Sequence, residues 1–291
     1  MTRLGIPYMG SKNKIARKIV DLLPAADTLV ELFAGGCAVT HAAILARKFR
    51  RYLINDIQGR YPDLFCRAVR GELPPPRIYT REEFDAAKDT DPIAAVCWSF
   101  GNNPGKSYLW RQDIAAVKLT ATKMIIDPDW QSRFAAYKSY IKSAREFLSQ
   151  PGHPYELEPL DRLVNLERLQ SLQSLQSLHP VLIPSGLDYT QVEIPVDATV
   201  YADPPYAGPA EYAGTSFDHP RFYDWLRSVP FPVFVSEYSM PPDFRCLAAF
   251  DRVGTFGYTN REKCIERIFV HERFAQFASH AAGLLGMEVQ G

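Results

Sequence analysis

The longest apolar run near the start of the chain, TLVELFAGG at 28–36, ends in a glycine pair, and the AVTHAAILARKF immediately after it spaces its apolar side chains as a helix does. RRYLINDI at 50–57 is a second strand pattern closing on Asn55 and Asp56. Strand, helix and strand within so short a stretch predict a parallel βαβ unit with a right-handed crossover. ATVYADPPY, FPVFVSEYS, FDRVGTFGY (250–258) and CIERIFVHERF supply four further strand candidates late in the chain. The pattern therefore predicts an α/β protein whose open sheet begins near the N-terminus and is completed near the C-terminus.

The middle of the chain is patterned differently. Asp127 followed by Pro128 is a helix-start signal. Trp130, Phe134, Tyr137 and Ile141 then fall on one helical face, away from Arg133, Lys138, Lys142 and Arg145. SQPGHPYELEPL (149–160) interrupts this pattern, and LERLQSLQSLQSL comes next with leucine at every third position up to Leu178. A step of three in an α-helix turns back by about 60° each time, so these leucines make no α-helical stripe. The tract reads as a low-complexity connector, with a short packed helix as the alternative.

Composition narrows the class. At 291 residues, 46% hydrophobic and 23% charged, the chain has the make-up of a soluble globular enzyme able to bury a large core. Five scattered cysteines without a CxxC or Cys/His cluster predict reduced thiols, a cytoplasmic setting and no metal site. No run is long enough to span a membrane, and the opening MTRLGIPYMGSKNK does not read as a signal peptide. The net charge of zero conceals a bias: residues 1–60 carry ten Lys/Arg against four Asp/Glu, and residues 104–145 carry eight against three. Such segments are either solvated faces or the footprint of a polyanion.

Two places carry candidate chemistry. A glycine turn after the first strand lets a ligand approach the backbone, and an acid at the end of the second strand accepts hydrogen bonds from ribose hydroxyls. Gly35, Gly36 and Asp56 fit that arrangement, although FAGGCAV is not a GxGxxG motif and no P-loop lysine is near. The pattern suits a nucleoside better than a dinucleotide, and a plain tight turn explains the glycines equally well. The second place is ADPPYAG, 202–208. Two successive prolines stop a sheet ladder and hold the adjoining residues in a stiff extended turn, which fixes Asp203 and Tyr206.

ELFAGG, the Asn-Asp pair after the second strand, and DPPY together resemble the motifs of the Dam-like N6-adenine DNA methyltransferases, in the same order along the chain. GIPYMGSKNKI (5–15), with Tyr8 and Lys12, is similar to the segment that precedes the glycine turn in that family. WSFGNNPGKSY (98–108) and GLDYTQV (186–192) are looser matches. The resemblance implies a Rossmann-like methyltransferase sheet built from residues 1–103 and 182–291, with a small, mainly helical target-recognition insert at 104–181. It implies S-adenosylmethionine as cofactor and double-stranded DNA as partner. Tyr8, Lys12, Glu31, Phe33, Gly35, Gly36, Asp56, Asp188, Tyr189 and Asp203 become its candidate cofactor residues, and Asp203, Pro204, Pro205 and Tyr206 its catalytic ones. Within that set Glu31 and Phe33 are assigned to the methionine end and Asp188 and Tyr189 to the adenine. Lys12 is alternatively a contact to DNA phosphate or to the target base, and Asn102 and Asn103 are either DNA contacts or turn formers.

The chemistry implied is specific. Adenine's exocyclic amine is a poor nucleophile because its lone pair is delocalised into the ring. The Asp203 side chain and the Pro204 carbonyl can accept its two protons and recover that lone pair, while Tyr206 offers a ring on which an extruded base stacks. The alternatives are methylation of another amino group, such as cytosine N4 or RNA, and an inactive DNA-binding relic. The DNA site, a restriction partner, a phage origin and the oligomeric state are not written in the sequence.

Overall fold

The computed structural model describes residues 3–75, 77, 79–108, 163–206, 217–253 and 263–276. The helix expected after Asp127, with its aromatic and basic faces, lies outside the described residues, as does Gly208 of the proline turn.

The chain divides into two compact units, one comprising Met1–Gly5, Gly10–Cys66 and Leu175–Gly291, the other Ile6–Met9 and Arg67–Ser174. The first holds all seven described strands: β1 (Thr28–Leu32), β2 (Arg51–Asn55), β3 (Val181–Ser185), β4 (Ala198–Ala202), β5 (Val233–Glu237), β6 (Phe244–Val253) and β7 (Lys263–His271). Their spatial order is β3-β2-β1-β4-β5-β7-β6. The β3, β2, β1, β4 and β5 strands run parallel, and β7 enters antiparallel to both β5 and β6. This mostly parallel sheet is consistent with a Rossmann-like methyltransferase fold. Among the described residues no helix is long and apolar enough to cross a membrane.

The central strands are apolar because both faces are covered. All five residues of β1 and all five of β5 are buried, which is why neither alternates in sequence. Helices α1 (Ala16–Leu22) and α2 (Ala38–Ala46) pack on each other, and α3 (Arg60–Arg70) comes after β2. In the second unit α4 (Arg81–Ala87) starts on a capping box between Thr80 and Glu83. Asp91 caps α5 (Pro92–Cys97), which has proline in its first turn.

Three expectations are corrected. Strand β3 was not foreseen: it is five residues long and contains Pro184, which a central strand would not tolerate, but it lies at the edge of the sheet. Strand β6 begins at Phe244 rather than Phe250, because a bulge between Cys246 and Ala248 breaks the period-two alternation that would have revealed it. The LQS tract is helical. Helix α6 (Leu163–Ser171) continues as a 3₁₀ helix over Leu172–Leu178. A 3₁₀ helix has three residues per turn, so a leucine at every third position does form a stripe there. Leu172 and Leu175 are accordingly buried, as are Leu166 and Leu169 in the α-helical part.

The longer stretch of the second unit, Arg67–Ser174, takes in α4 and α5.

Candidate active site

The parallel pairing aligns the carboxyl ends of neighbouring strands. Leu32 pairs with both Asn55 and Ala202, and Asn55 pairs with Ser185. Phe33 to Gly36, Asp56, Asp203 and the loop after Ser185 therefore emerge along one edge. The order reverses between β1 and β4, the position where open α/β sheets bind ligands.

The glycine turn is built from backbone and closed by a carboxylate. Phe33 (φ 58°), Gly35 (φ 45°) and Cys37 (φ 56°) all adopt left-handed conformations, a crowded geometry in which the glycine carries no side-chain penalty. The Gly35 amide donates to Asp56 Oδ2 and the Gln58 amide to Asp56 Oδ1, each at 2.9 Å. Asp56 thus holds the turn directly, and each oxygen retains a further lone pair for a ligand hydroxyl. Burial raises its carboxyl above the ordinary range, against the lowering by these two amides. Next to it the Ile57 side chain is 68% exposed, an apolar surface that sequence reasoning overlooked. The N-terminal segment lies against the turn. A side chain at Gly5 (φ +69°) would meet the Gly36 carbonyl at 2.0 Å, and the Gly5 amide donates to His41 Nδ1 at 2.8 Å.

Asn55, half of the Asn-Asp pair, works at longer range. Its amide group exchanges two hydrogen bonds with the Leu187 backbone, at 2.9 and 3.0 Å, and so positions the loop bearing Asp188 and Tyr189. Asp188 caps the short 3₁₀ turn Tyr189–Gln191 and pairs with Arg221 at 3.1 and 3.2 Å. Tyr189 is buried in an aromatic cluster with Phe33, Phe222 and Trp225, its ring centroid 5.1–5.4 Å from theirs. Phe222 and Trp225 belong to α7 (His219–Ser228), capped by Asp218. The Tyr189 hydroxyl is buried and has no hydrogen-bond partner among the described residues.

At the end of β4 the site is made of charged side chains. Lys12 Nζ lies 2.6 Å from Asp203 Oδ1 and 3.2 Å from Glu266 Oε1. The Tyr206 hydroxyl donates to Glu266 Oε1 at 2.6 Å, its ring lies 4.6 Å from the Lys12 ammonium, and it meets Tyr238 edge-on. The Lys12 side chain is 6% exposed, that of Asp203 17% and that of Glu266 0%. Burial pushes the Asp203 carboxyl up to about 6; Lys12 opposes that rise and Glu266 reinforces it. Tyr206 is raised as well, by burial first and then by the two carboxylates. Asp203 is held to the sheet by its own amide, which donates to the Leu32 carbonyl at 3.2 Å. Pro204 is buried and Pro205 exposed.

Other expected site residues have partners within the protein. Glu31, assigned to the methionine end of a cofactor, is 2% exposed and accepts from both the amide and the hydroxyl of Thr40 in α2. Burial raises its carboxyl to about 7, the two Thr40 bonds opposing. Lys12, expected at the cofactor, a DNA phosphate or the target base, has its ammonium between two carboxylates and its side chain 6% exposed. Asn102 and Asn103 both make local turn contacts. Asn102 (φ 56°) donates to the Val96 carbonyl at 2.7 Å, and Asn103 accepts from the Gly105 amide at 3.1 Å. Tyr8 is half-buried and belongs to the second unit. Glu266 was missed altogether: an acid inside an apolar strand pattern, far along the chain from the proline turn, leaves no local signal. Among the described residues no group of three His, Cys, Asp or Glu side chains is placed to hold a metal.

No curated protein sequence matches the chain. Residues 8–69 match the family described as the D12 class N6 adenine-specific DNA methyltransferase. That stretch runs from Tyr8 through the glycine turn and Asp56 into α3 and ends well before the proline turn. With the mostly parallel seven-stranded sheet that frames it, this match makes the N-terminal part of the chain similar to the D12 class N6 adenine-specific DNA methyltransferases.

Proposed function

We propose that the chain transfers a methyl group from S-adenosylmethionine to the N6 amine of an adenine extruded from double-stranded DNA, with Asp203, Pro204 and Tyr206 at the reacting amine and the Gly35–Asp56 turn at the cofactor. The observation that carries this reading is the alignment of Asp56, the glycine turn and Asp203 along one edge of the sheet at its reversal point. The residues suit such a cofactor: Asp56 retains acceptor capacity for ribose hydroxyls, Ile57 presents an exposed apolar face, and the buried Tyr189 hydroxyl is a polar atom that a bound ligand can satisfy. S-adenosylmethionine supplies a methyl group on a positively charged sulfur, so no metal activation is needed.

The chain's own groups act on the nucleophile. Asp203 accepts one amine proton as a hydrogen bond and the Pro204 carbonyl accepts the other, which turns the nitrogen lone pair out of conjugation. As the N–C bond forms the amine becomes positive and must lose a proton, and Asp203 is placed to receive it. Burial has already made this carboxylate more basic than a solvated one. Tyr206 offers its ring to the base, its tilt set by Glu266 and Tyr238.

Single-molecule sequencing of DNA from cells expressing the protein tests the reading. N6-methyladenine in a fixed sequence context is expected, and none with Asp203→Ala. Modification of cytosine N4, or no modification by the folded wild type, overturns it.

A further inference from the structure

Before adenine arrives, the acceptor assigned to its amine is already occupied: Lys12 Nζ sits on Asp203 Oδ1 at 2.6 Å. An ammonium ion-paired there stands in the way of the amine and offsets the negative charge that would attract its protons. The same ammonium reaches a second carboxylate, Glu266 Oε1, at 3.2 Å, and that oxygen is also the acceptor for the Tyr206 hydroxyl. Glu266 comes from β7, opposite Phe250 of β6, and is fully buried. Placing a second carboxylate next to Asp203 in the interior is unfavourable, because two like charges then share a counter-ion in a low dielectric.

We propose that Glu266 is a positioning residue of methyl transfer: it takes the Lys12 ammonium from Asp203 when the adenine amine binds, and through the same oxygen it sets the Tyr206 ring that receives the base. This rests on the function proposed above and deepens it. The ammonium already touches both stations, so the exchange requires a rotation of the lysine tip and no backbone movement. With Lys12 on Glu266, the Asp203 oxygens face the amine. Because Glu266 shares its oxygen between Lys12 and Tyr206, seating the ring and clearing Asp203 are coupled. A lysine shared between two carboxylates leaves negative charge at Asp203, which favours the positive charge developing on the methylated nitrogen.

Two substitutions separate this role from a structural one. Glu266→Gln keeps the shape and an acceptor for Tyr206 but offers Lys12 no charge, so Lys12 remains on Asp203. Tyr206→Phe keeps the ring and frees Glu266 to hold Lys12 more strongly. Among the described residues the charged and titratable groups facing Asp203 are Lys12, Glu266, Tyr206, Tyr201 and Glu31, and neither substitution alters Tyr201 or Glu31. Single-turnover transfer from labelled S-adenosylmethionine to adenine-containing duplex DNA is followed against pH, beside calorimetry of cofactor binding and thermal melting. Glu266→Gln is expected to slow transfer by about ten- to a hundredfold with cofactor affinity within about threefold of wild type. Its acidic limb should move to lower pH, since the like charge that raised Asp203 is gone. Tyr206→Phe should move that limb to higher pH. Opposite displacements support the proposal. Unchanged limbs in both variants, or a wild-type rate per folded Glu266→Gln molecule, overturn it while leaving the function reading intact. If Glu266→Gln does not fold, Glu266→Met, an uncharged side chain of similar volume, takes its place with the same expected outcomes. A wild type that transfers no methyl group to adenine sinks the function reading and this inference together.

Discussion

The carboxyl ends of β1 and β2 and the carboxyl end of β4 are neighbours on one sheet, yet they are built on different physical principles. The first is a backbone structure: left-handed residues at Phe33, Gly35 and Cys37, and a carboxylate, Asp56, whose two oxygens hold two amides. The second is a side-chain structure: a lysine, two carboxylates and a tyrosine hydroxyl linked by ion pairs and a hydrogen bond. A backbone turn presents a preformed shape and little charge, as suits a ligand that is bound and released. A charged cluster stores electrostatic energy that a small proton or ammonium shift redistributes, as suits a step in which charge develops. On the proposed function the first is the binding half of the site and the second the reacting half.

The most forceful way to break this comparison is to remove the acceptor. Asp203→Ala should lower single-turnover methyl transfer by at least about a thousandfold, roughly 4 kcal/mol of transition-state stabilisation. It should still fold, because Lys12 keeps Glu266 as its counter-ion and is not left as an unpaired buried charge. Asp203→Asn, which retains one acceptor oxygen, should keep a small residual rate. A well-folded Asp203→Ala protein that transfers at the wild-type rate would mean that the charged half of the edge does no chemistry.

The backbone half should respond in binding instead. Asp56→Ala removes the acceptor for the Gly35 and Gln58 amides along with any bond to a ribose, so cofactor affinity should fall about ten- to a hundredfold by calorimetry. The effect should appear with no DNA present. Equal affinity in a folded variant would remove Asp56 from the cofactor site and leave it as a turn fastener only.

The same contrast governs how much of the site is legible in the sequence. The turn half is local: ELFAGG and Asn-Asp lie within one strand-helix-strand unit, so periodicity and glycine placement are enough to expect β1, α2, β2 and Asp56 beside the glycine turn. The function of Asn55 in holding Leu187 is not legible, since its partner lies 132 residues away. The charged half divides in the same way. Asp203 and Tyr206 share one rigid tetrapeptide and can be read from it. Glu266 reaches them only through the antiparallel insertion of β7 beside β5, a topology that no local pattern encodes. Lys12 resembles a solvated lysine at a helix start because sequence does not reveal what closes over it. Likewise the LQS leucines mislead when 3.6 residues per turn are assumed where the chain adopts three.

Glu31 sits in the strand that joins the two halves and sharpens the comparison through pH. Its carboxyl rises on folding from an ordinary value of 4.5 to about 7, chiefly by burial. The folded state therefore binds more protons than the unfolded chain between those values, and stability should decline as pH rises through that window. After relaxation of the site a decline of about 1–3 kcal/mol is expected. Glu31→Gln, which imitates the protonated form and can still accept from Thr40, should flatten that part of the stability profile in urea titrations at a series of pH values. A decline that persists unchanged in Glu31→Gln would assign it to Asp203 or another buried acid.

The smallest effect should come from Asp188, where the two kinds of construction meet. It caps the turn Tyr189–Gln191 with its Thr190 bonds and pairs with Arg221, whose side chain is 52% exposed. These bonds hold its carboxyl below the ordinary range despite some cost from burial. A half-exposed pair of this kind is worth about 0.2–1 kcal/mol, so Asp188→Ala should shift the melting temperature by only a few degrees at most. Cofactor affinity is the more informative measurement. If Asp188 is only a cap and ion-pair partner, replacing it should leave calorimetric affinity within about twofold, as should Arg221→Ala, which breaks the same pair from the other side. If its oxygens also meet the cofactor's adenine, Asp188→Ala should weaken binding by about five- to tenfold while Arg221→Ala does not, because removing the arginine frees those oxygens rather than deleting them. Equal losses in both variants would show that the ion pair shapes the loop and that Asp188 belongs to the scaffold rather than to the ligand.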